Sequence, residues 1–415
     1  MKIKIYRGTK EIGGTCIQLT ADNGKILWID LGSPLDESNT NVDYIKNPAD
    51  ALLISHPHQD HFGLMENKGL DIPIFIGHVS LDLINATKIF RGIPSLAGNI
   101  KIIQPWKTYI IADTFKVKPY LTDHSTPESF AFLIEADGKR VFYSGDFRAS
   151  GRKSKVYKNL INDPPQNLDL LLMEGTMIER FNHLYPSENS IEEAIFNIIK
   201  PQENITFVIS SAQNIDRFVS VFNASKRSGK YLVIDVYTAW ILEMVRKKSH
   251  GTPSMKWKEI KVFDHPGQLD KIKDKSFNEF RERIINQRVG NSVFNKPSDF
   301  VYFVRCPNAK LVDKVRNTGI INIIYSQWEG YLKEEHKTYC TDYINSIKDD
   351  PGIVFHSIHT SGHAVVPDLI DFAKALNSKT LVPIHTTFPE IFKKEFENSG
   401  FKNINLWEDN TEYQL

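Results

Sequence analysis

Apolar and polar positions alternate from the first residues: Lys2-Ile3-Lys4-Ile5-Tyr6 puts its aliphatic side chains on one face of a strand. Similar segments at 15–20 and 26–31 follow, with turn signals at Gly13-Gly14 and Asp22-Asn23-Gly24 between them. Ala51-Leu52-Leu53-Ile54 is continuously apolar and reads as a short buried strand. Helical periodicity near 80–90 precedes strands at 101–104, 108–111, 115–120, 129–135 and 140–144, and Leu170 to Met173 is one more buried strand. Pro186-Ser187 breaks the pattern before a helix at 190–199, for which Ser190-Ile191-Glu192-Glu193 offers a capping box.

From about 205 the period changes. Strands at 206–210 and 231–236 flank a helix at 215–227, the order of a small parallel α/β unit. Residues 250–300 are rich in Lys, Arg, Asp and Asn and give only a loose pattern. Strands return at 300–305, 321–325, 353–357 and 380–384, with helices at about 366–376 and 389–398. A chain of 415 residues holds two domains, or one large core carrying an insertion.

Composition narrows the class. Hydrophobic content of 41% and charged content of 24% are those of a soluble globular protein. No run approaches the roughly 20 apolar residues of a membrane span, and the alternating N-terminus has no signal-peptide core, so a cytoplasmic protein is expected. Cys16, Cys306 and Cys340 are odd in number and far apart, which predicts neither a disulfide framework nor a cysteine zinc site. The net charge of +1 is unevenly spread: residues 191–348 hold 25 Lys and Arg against 18 Asp and Glu, and the remainder 26 against 32. That split suits a polyanion bound at a basic middle region, and solvated helix faces produce the same count.

The densest chemistry follows the buried strand at 51–54. His56-Pro57-His58-Gln59-Asp60-His61 packs three imidazoles and a carboxylate into six residues, a density that folding does not require and divalent metals do. Two His two apart on an extended segment share a side, and Asp60 and His61 can then reach a second ion. Asp30 closes the strand before it, a position that a turn residue also fits. Ser144-Gly145-Asp146 places a carboxylate after a Gly turn at a strand end, where it can bridge two cations. His124, Glu174, His363 and His385 lie in loops or at strand ends, and each by itself fits a packed or exposed residue as well.

Together, His-x-His-x-Asp-His, Ser-Gly-Asp, Glu174 after a strand, Ser361-Gly362-His363-Ala364 and Pro383-Ile384-His385 resemble the β-CASP branch of the metallo-β-lactamase superfamily. Within it, His359-Thr360-Ser361-Gly362-His363-Ala364 and Ser211-Ala212-Gln213-Asn214-Ile215-Asp216-Arg217 resemble segments of the ribonuclease J group. The similarity runs from the first strand to the last helix. It departs in Glu174-Gly175-Thr176 for the group's Glu-Ser-Thr and in Thr386-Thr387 after His385, and no extra C-terminal domain follows.

The resemblance implies an α/β fold, an αββα sandwich formed by residues 1–190 and 349–415 with an inserted α/β β-CASP domain at 191–348. It implies two Zn2+, with Mn2+ or Mg2+ as alternatives: His56, His58 and His124 on one, Asp60, His61 and His385 on the other, Asp146 bridging and Asp30 behind them. Catalysis would rest on Asp60 and Asp146, with His363 paired to Glu174 as proton donor. Ser211, Asn214, Thr360, Ser361 and Gly362 would bind an RNA 5′-phosphate. Trp240, Trp257 or Trp328 would stack on bases or else belong to the core.

The implied function is 5′-to-3′ exonucleolytic hydrolysis of single-stranded RNA, with endonucleolytic cuts as a second activity. A homodimer is left open, because in the group the missing C-terminal domain helps to assemble one. The alternatives are a DNA nuclease of the same branch, against which His385 argues because DNA-directed members carry an apolar residue there, and a catalytically weak RNA-binding regulator, which predicts lost ligands.

Overall fold

The computed structural model describes residues 1–35, 49–67, 70–180, 184–290 and 292–415. It divides into two compact units: residues 1–81, 96–182 and 362–415 form one, and residues 82–95 and 183–361 the other.

The first unit is built on two sheets. Strands β1 (Lys2–Arg7), β2 (Cys16–Thr20), β3 (Ile26–Ile29), β4 (Ala51–Leu53), β5 (Ile74–Gly77) and β6 (Ile100–Ile103) form one sheet, to whose β1 edge the C-terminal strand Glu412–Gln414 adds. Strands β7 (Tyr109–Ile111), β8 (Phe115–Leu121), β9 (Phe130–Ala136), β10 (Lys139–Tyr143) and β11 (Leu170–Glu174) form the other, closed beside β11 by the late strand Thr380–Ile384. Ile3, Leu19, Leu27 and Leu53 from the first sheet and Phe132, Val141, Leu170 and Leu172 from the second share one buried core. The alternate residues Leu133, Phe142 and Leu171 bury the second sheet's outer face against Tyr157, Phe372 and Phe396 of helices Ser154–Asn162, Val366–Leu376 and Pro389–Asn398. This is the αββα sandwich that the resemblance implies.

The second unit is a wholly parallel sheet. Its strands are β12 (Thr206–Ile209), β13 (Tyr231–Asp235), β14 (Ile260–Phe263), β15 (Phe300–Val304), β16 (Ile321–Tyr325) and β17 (Ile353–Ser357), in the spatial order β14-β13-β15-β12-β16-β17. Strands such as Thr206–Ile209 and Ile321–Tyr325 are buried at every position, on both faces, and are accordingly apolar at all but Thr206 and Asn322.

Several expectations change. Strand β17 pairs with β16 over five residues, so the chain stays with the inserted unit until Ser361, not 349. The helix expected at 190 starts at Glu188, because Ser187 and Ser190 exchange side chain-to-backbone bonds as the capping pair. Cys306 and Cys340, expected as thiols, form a disulfide across 34 residues with Cα atoms 5.8 Å apart. Sequence distance hid it: Cys306 follows β15 and Cys340 caps helix Thr341–Ile347, and the fold brings these ends together. Trp240 packs on Phe277 and Phe280, Trp257 on Phe222, and Trp328 on Tyr331 and His336. Among the described residues no helix is long and apolar enough to cross a membrane.

Candidate metal centre

The first unit gathers its chemistry at the carboxyl ends of its strands. β3 and β4 run parallel and end at Asp30 and at the Ser55–His61 segment. β10, β11 and the strand Thr380–Ile384 also run parallel, and end at Asp146, Glu174 and His385. His124 follows β8, which is antiparallel to β9 as is β10, so it reaches the same edge.

Local backbone bonds fix each segment. Asp60 and His61 ride on the one-turn helix Gln59–Phe62, strapped by Thr15 N–H to the Asp60 carbonyl (3.1 Å) and Leu31 N–H to the His61 carbonyl (2.8 Å). Gly32 lies so close that a Cβ there would land on the Asp60 carbonyl oxygen. Gly145 turns the chain at φ +53°, and a Cβ there would collide with the Phe130 carbonyl. His385 also has positive φ, held by its N–H donating to the Gly8 carbonyl at 2.6 Å.

Distances define the centre. His56 Nε2 is 3.1 Å from His58 Nδ1, which is 3.2 Å from His124 Nε2. Asp146 Oδ2 is 3.5 Å from His56 Nε2, 3.9 Å from His124 Nε2 and 3.3 Å from His61 Nε2. Asp60 Oδ2 is 3.2 Å from His385 Nε2 and 3.7 Å from His61 Nε2. Ligands about 2.0–2.1 Å from a tetrahedral ion stand roughly 3.3–3.4 Å apart, so these spacings are those of atoms that share cations. Asp146 turns one oxygen, Oδ2, toward both groups of histidines.

Hydrogen bonds fix which nitrogen each ring offers. Asp30 is fully buried and accepts from Ser55 N–H (2.7 Å), Ser55 Oγ (2.7 Å), His61 Nδ1 (2.7 Å) and Tyr143 OH (2.6 Å). The Ser55 hydroxyl gives its proton to that carboxylate, so at 3.0 Å it accepts from His56 Nδ1. His124 Nδ1 donates to the Gly362 carbonyl at 2.6 Å. Thr176 Oγ1 donates to the His385 carbonyl (3.2 Å) and accepts from His385 Nδ1 (2.9 Å). In every case the remaining nitrogen is bare toward the cluster. His61 Nε2 is buried and makes no hydrogen bond, although Asp146 Oδ2 lies 3.3 Å away. An orphaned polar atom of this kind marks a missing electrophile.

The electrostatics agree. Burial holds His56 and His124 well below the ordinary imidazole value, and lowers His58 as well. Burial opposes charge on Asp60 and Asp146, yet the facing imidazoles, led by His61, keep both carboxyls below their usual range. Burial also opposes charge on His61, but Asp146, Asp60 and Asp30 together raise it well above normal. The carboxylates of Asp30, Asp60 and Asp146 thus favour positive charge at this cluster, which a divalent cation would supply. Neutral imidazoles with ionised carboxylates fit zinc and other divalent ions.

His363 stands beside this group. Its Nδ1 is 2.9 Å from Glu174 Oε2, and Glu174 Oε1 accepts from Phe147 N–H at 2.9 Å. Burial pushes His363 down, but the Glu174 and Asp146 carboxylates prevail and raise it to about 9. Every metal-ligand candidate named from the sequence, together with Asp30, Glu174 and His363, converges in this one unit. Sequence reasoning missed Ser55, Tyr143, Thr176 and the Gly362 carbonyl, whose only signal was adjacency to a named residue.

The phosphate-binding candidates are more dispersed. Gly362 belongs to the sandwich unit, and Ser211, Asn214, Thr360 and Ser361 to the inserted one. Asn214 uses its side-chain oxygen to cap helix Ile215–Arg227, and Ser211 Oγ accepts from Gln213 N–H at 3.3 Å. Buried Arg217 on that helix donates to the Thr360 carbonyl, to Ser326 and to both Glu188 oxygens. It ties together the exits of β16 and β17 and the loop after β12.

Residues 35–198 match the β-lactamase superfamily domain. The chain is 26% identical over 254 residues to an RNase J-like protein of Methanocaldococcus jannaschii, covering 57% of this chain and 58% of that one. To ribonuclease J of Thermus thermophilus it is 24% identical, over 51% of this chain and 40% of the relative. To ribonuclease J of Helicobacter pylori it is 21% identical, over 100% of this chain and 61% of the relative. In each of the three the match spans less than two thirds of the relative's own length. A crystal structure of a protein of unknown function from Enterococcus faecalis superposes with a TM-score of 0.74 at 16% identity, covering 100% of this chain and 99% of that one.

Proposed function

We propose that this ribonuclease J-like chain of the metallo-β-lactamase superfamily is a metal-dependent ribonuclease, a 5′-to-3′ exonuclease of single-stranded RNA that also makes internal cuts. One observation carries the reading: the bare nitrogens of five histidines and the carboxylates of Asp60 and Asp146 stand at the mutual spacings of shared-cation ligands. The relatives named ribonuclease J support RNA as the substrate, and the basic balance of residues 191–348 supports a polyanion. The inserted parallel unit is, on this reading, the β-CASP domain.

His56, His58 and His124 would hold one cation and Asp60, His61 and His385 a second, with Asp146 between them. Two divalent ions there, zinc by the donor set, would supply hydroxide near neutrality and offset charge on the phosphodiester oxygens. Asp30 and Thr176 hold the imidazoles in the tautomers that leave Nε2 bare. Glu174 accepts a hydrogen bond from His363 Nδ1–H, which leaves Nε2–H to protonate the departing 3′ oxygen. Ser211, Asn214, Thr360, Ser361 and Gly362 remain the candidates for holding a terminal 5′-phosphate, supported by the hydroxyl and amide donors they carry.

The test follows one RNA oligomer labelled at its 3′ end, bearing a 5′ monophosphate, triphosphate or hydroxyl, beside the matching DNA. Wild type is compared with Asp60→Ala and His363→Ala. Stepwise decay of the monophosphate RNA alone, lost in both variants, is expected. Internal cuts indifferent to the 5′ end, with no stepwise decay from it, would remove the phosphate-binding role. Cleavage of DNA in preference to RNA would overturn the ribonuclease reading.

A further inference from the structure

The inserted unit carries an arrangement the metal centre does not use. Arg305 follows β15, and its guanidinium lies over two rings, 5.5 Å from the centroid of Tyr237 and 5.3 Å from that of Tyr339. Among the described residues no carboxylate pairs with it. Tyr237 is buried and held at its hydroxyl by Thr87 (3.0 Å) and Gln213 (3.1 Å), whereas Tyr339 is 70% exposed. The next residue after each exposed partner is a disulfide cysteine, Cys306 after Arg305 and Cys340 after Tyr339, so a covalent link holds the pair in place.

The position is informative. The chain leaves β12 through helix Ile215–Arg227 toward β13, and leaves the neighbouring β15 through helix Ala309–Val315 toward β16, on the opposite side. The two crossovers run in opposite directions past one another. With right-handed connections their helices lie on opposite faces of the sheet, and the loops after β12 and β15 part to either face. Open parallel sheets bind ligands where neighbouring loops part in this way, beyond the carboxyl ends of their strands. Gln213 comes from one loop and Arg305 from the other. An exposed ring backed by a cation without a carboxylate partner matches an aromatic π-face beside a phosphate: Tyr339 offers the stacking plane and Arg305 the charge.

We propose that Tyr339 and Arg305 form a stacking platform for an unpaired nucleobase of single-stranded RNA. The proposal rests on the ribonuclease reading and goes beyond it by assigning base contact to two residues outside the metal centre and the phosphate candidates. It differs from the tryptophans singled out in the sequence, which pack on aromatic neighbours of their own.

The test measures binding, so that it does not depend on cleavage. The metal-loaded full chain is titrated into a phosphorothioate-linked single-stranded RNA labelled at its 3′ end, and into the same oligomer with its bases removed. Tyr339→Ala should weaken binding of the base-bearing strand about tenfold while leaving the abasic strand's weaker binding unchanged, and Arg305→Ala, which removes the charge, should weaken both strands. Tyr339→Trp should bind as wild type, with indole fluorescence quenched by the base-bearing strand alone. Unaltered affinity in Tyr339→Ala, with an unchanged melting curve, would overturn the platform and leave the ribonuclease reading standing. Equal losses for both strands in Tyr339→Ala would overturn it too, since the ring would then act through the fold and not through a base. A wild type that binds neither strand would overturn both readings.

Discussion

Thr176 Oγ1 stands 2.9 Å from His385 Nδ1 and 3.2 Å from the carbonyl oxygen of the same histidine. One hydroxyl therefore donates to the His385 backbone and accepts from its ring, which turns Nε2 toward Asp60, 3.2 Å away. Thr176→Val keeps the shape and removes both bonds. Metal titration of this variant should show one of two sites weakened by about 10–100-fold, with Thr176→Ser close to wild type.

The His363–Glu174 pair predicts a pH dependence. His363 is raised to about 9, so its donor form is present at neutral pH and is lost as pH rises through that value. The rate of RNA cleavage should fall on the alkaline side near pH 9. Glu174→Gln removes the leading upward influence, so the fall should move to lower pH. By the same sign, the pair's contribution to stability is complete below the ordinary imidazole value and fades toward about 9.

Arg217 and Glu188 form a buried bidentate pair, with Nε–Oε2 and Nη2–Oε1 distances of 3.1 Å. Arg217→Met leaves Glu188 buried without its partner, and should lower stability by about 3–5 kcal/mol in denaturant titration. Arg217→Met with Glu188→Leu should lose less than the two single changes added together.

The disulfide predicts the thiol count. Cys16 is the free cysteine and is buried, with its thiol pushed up by burial, so the native oxidised protein should react with no more than trace thiol reagent. Reduction should release Cys306 and Cys340 and lower the stability of the inserted unit by about 2–4 kcal/mol, as expected for a loop of this length. Rapid reaction of two thiols before reduction would refute the pairing.

The candidate metal ligands were legible in the sequence because metal chemistry restricts residue type and spacing together: no helix or strand needs His56, His58, Asp60 and His61 in six positions. Buried strands such as Ile321–Tyr325 and helices such as Ile215–Arg227 were also legible, because periodicity records which face is buried. Helix Asn278–Gln287 was not, since its polar surface carries a weak pattern and only Phe280 and Ile284 are buried.

What only the tertiary structure decided is what depends on groups distant in sequence. Tyr143 reaches Asp30 across 113 residues and Thr176 reaches His385 across 209, and neither hydroxyl carries a local signature. The Cys306–Cys340 link and the placing of Arg305 between Tyr237 and Tyr339 are of the same kind. Residue type and spacing specify the chemistry a segment can perform. Which nitrogen is bare, which thiols meet and which ring stays exposed are set by packing between segments, and that is fixed only when the chain has folded.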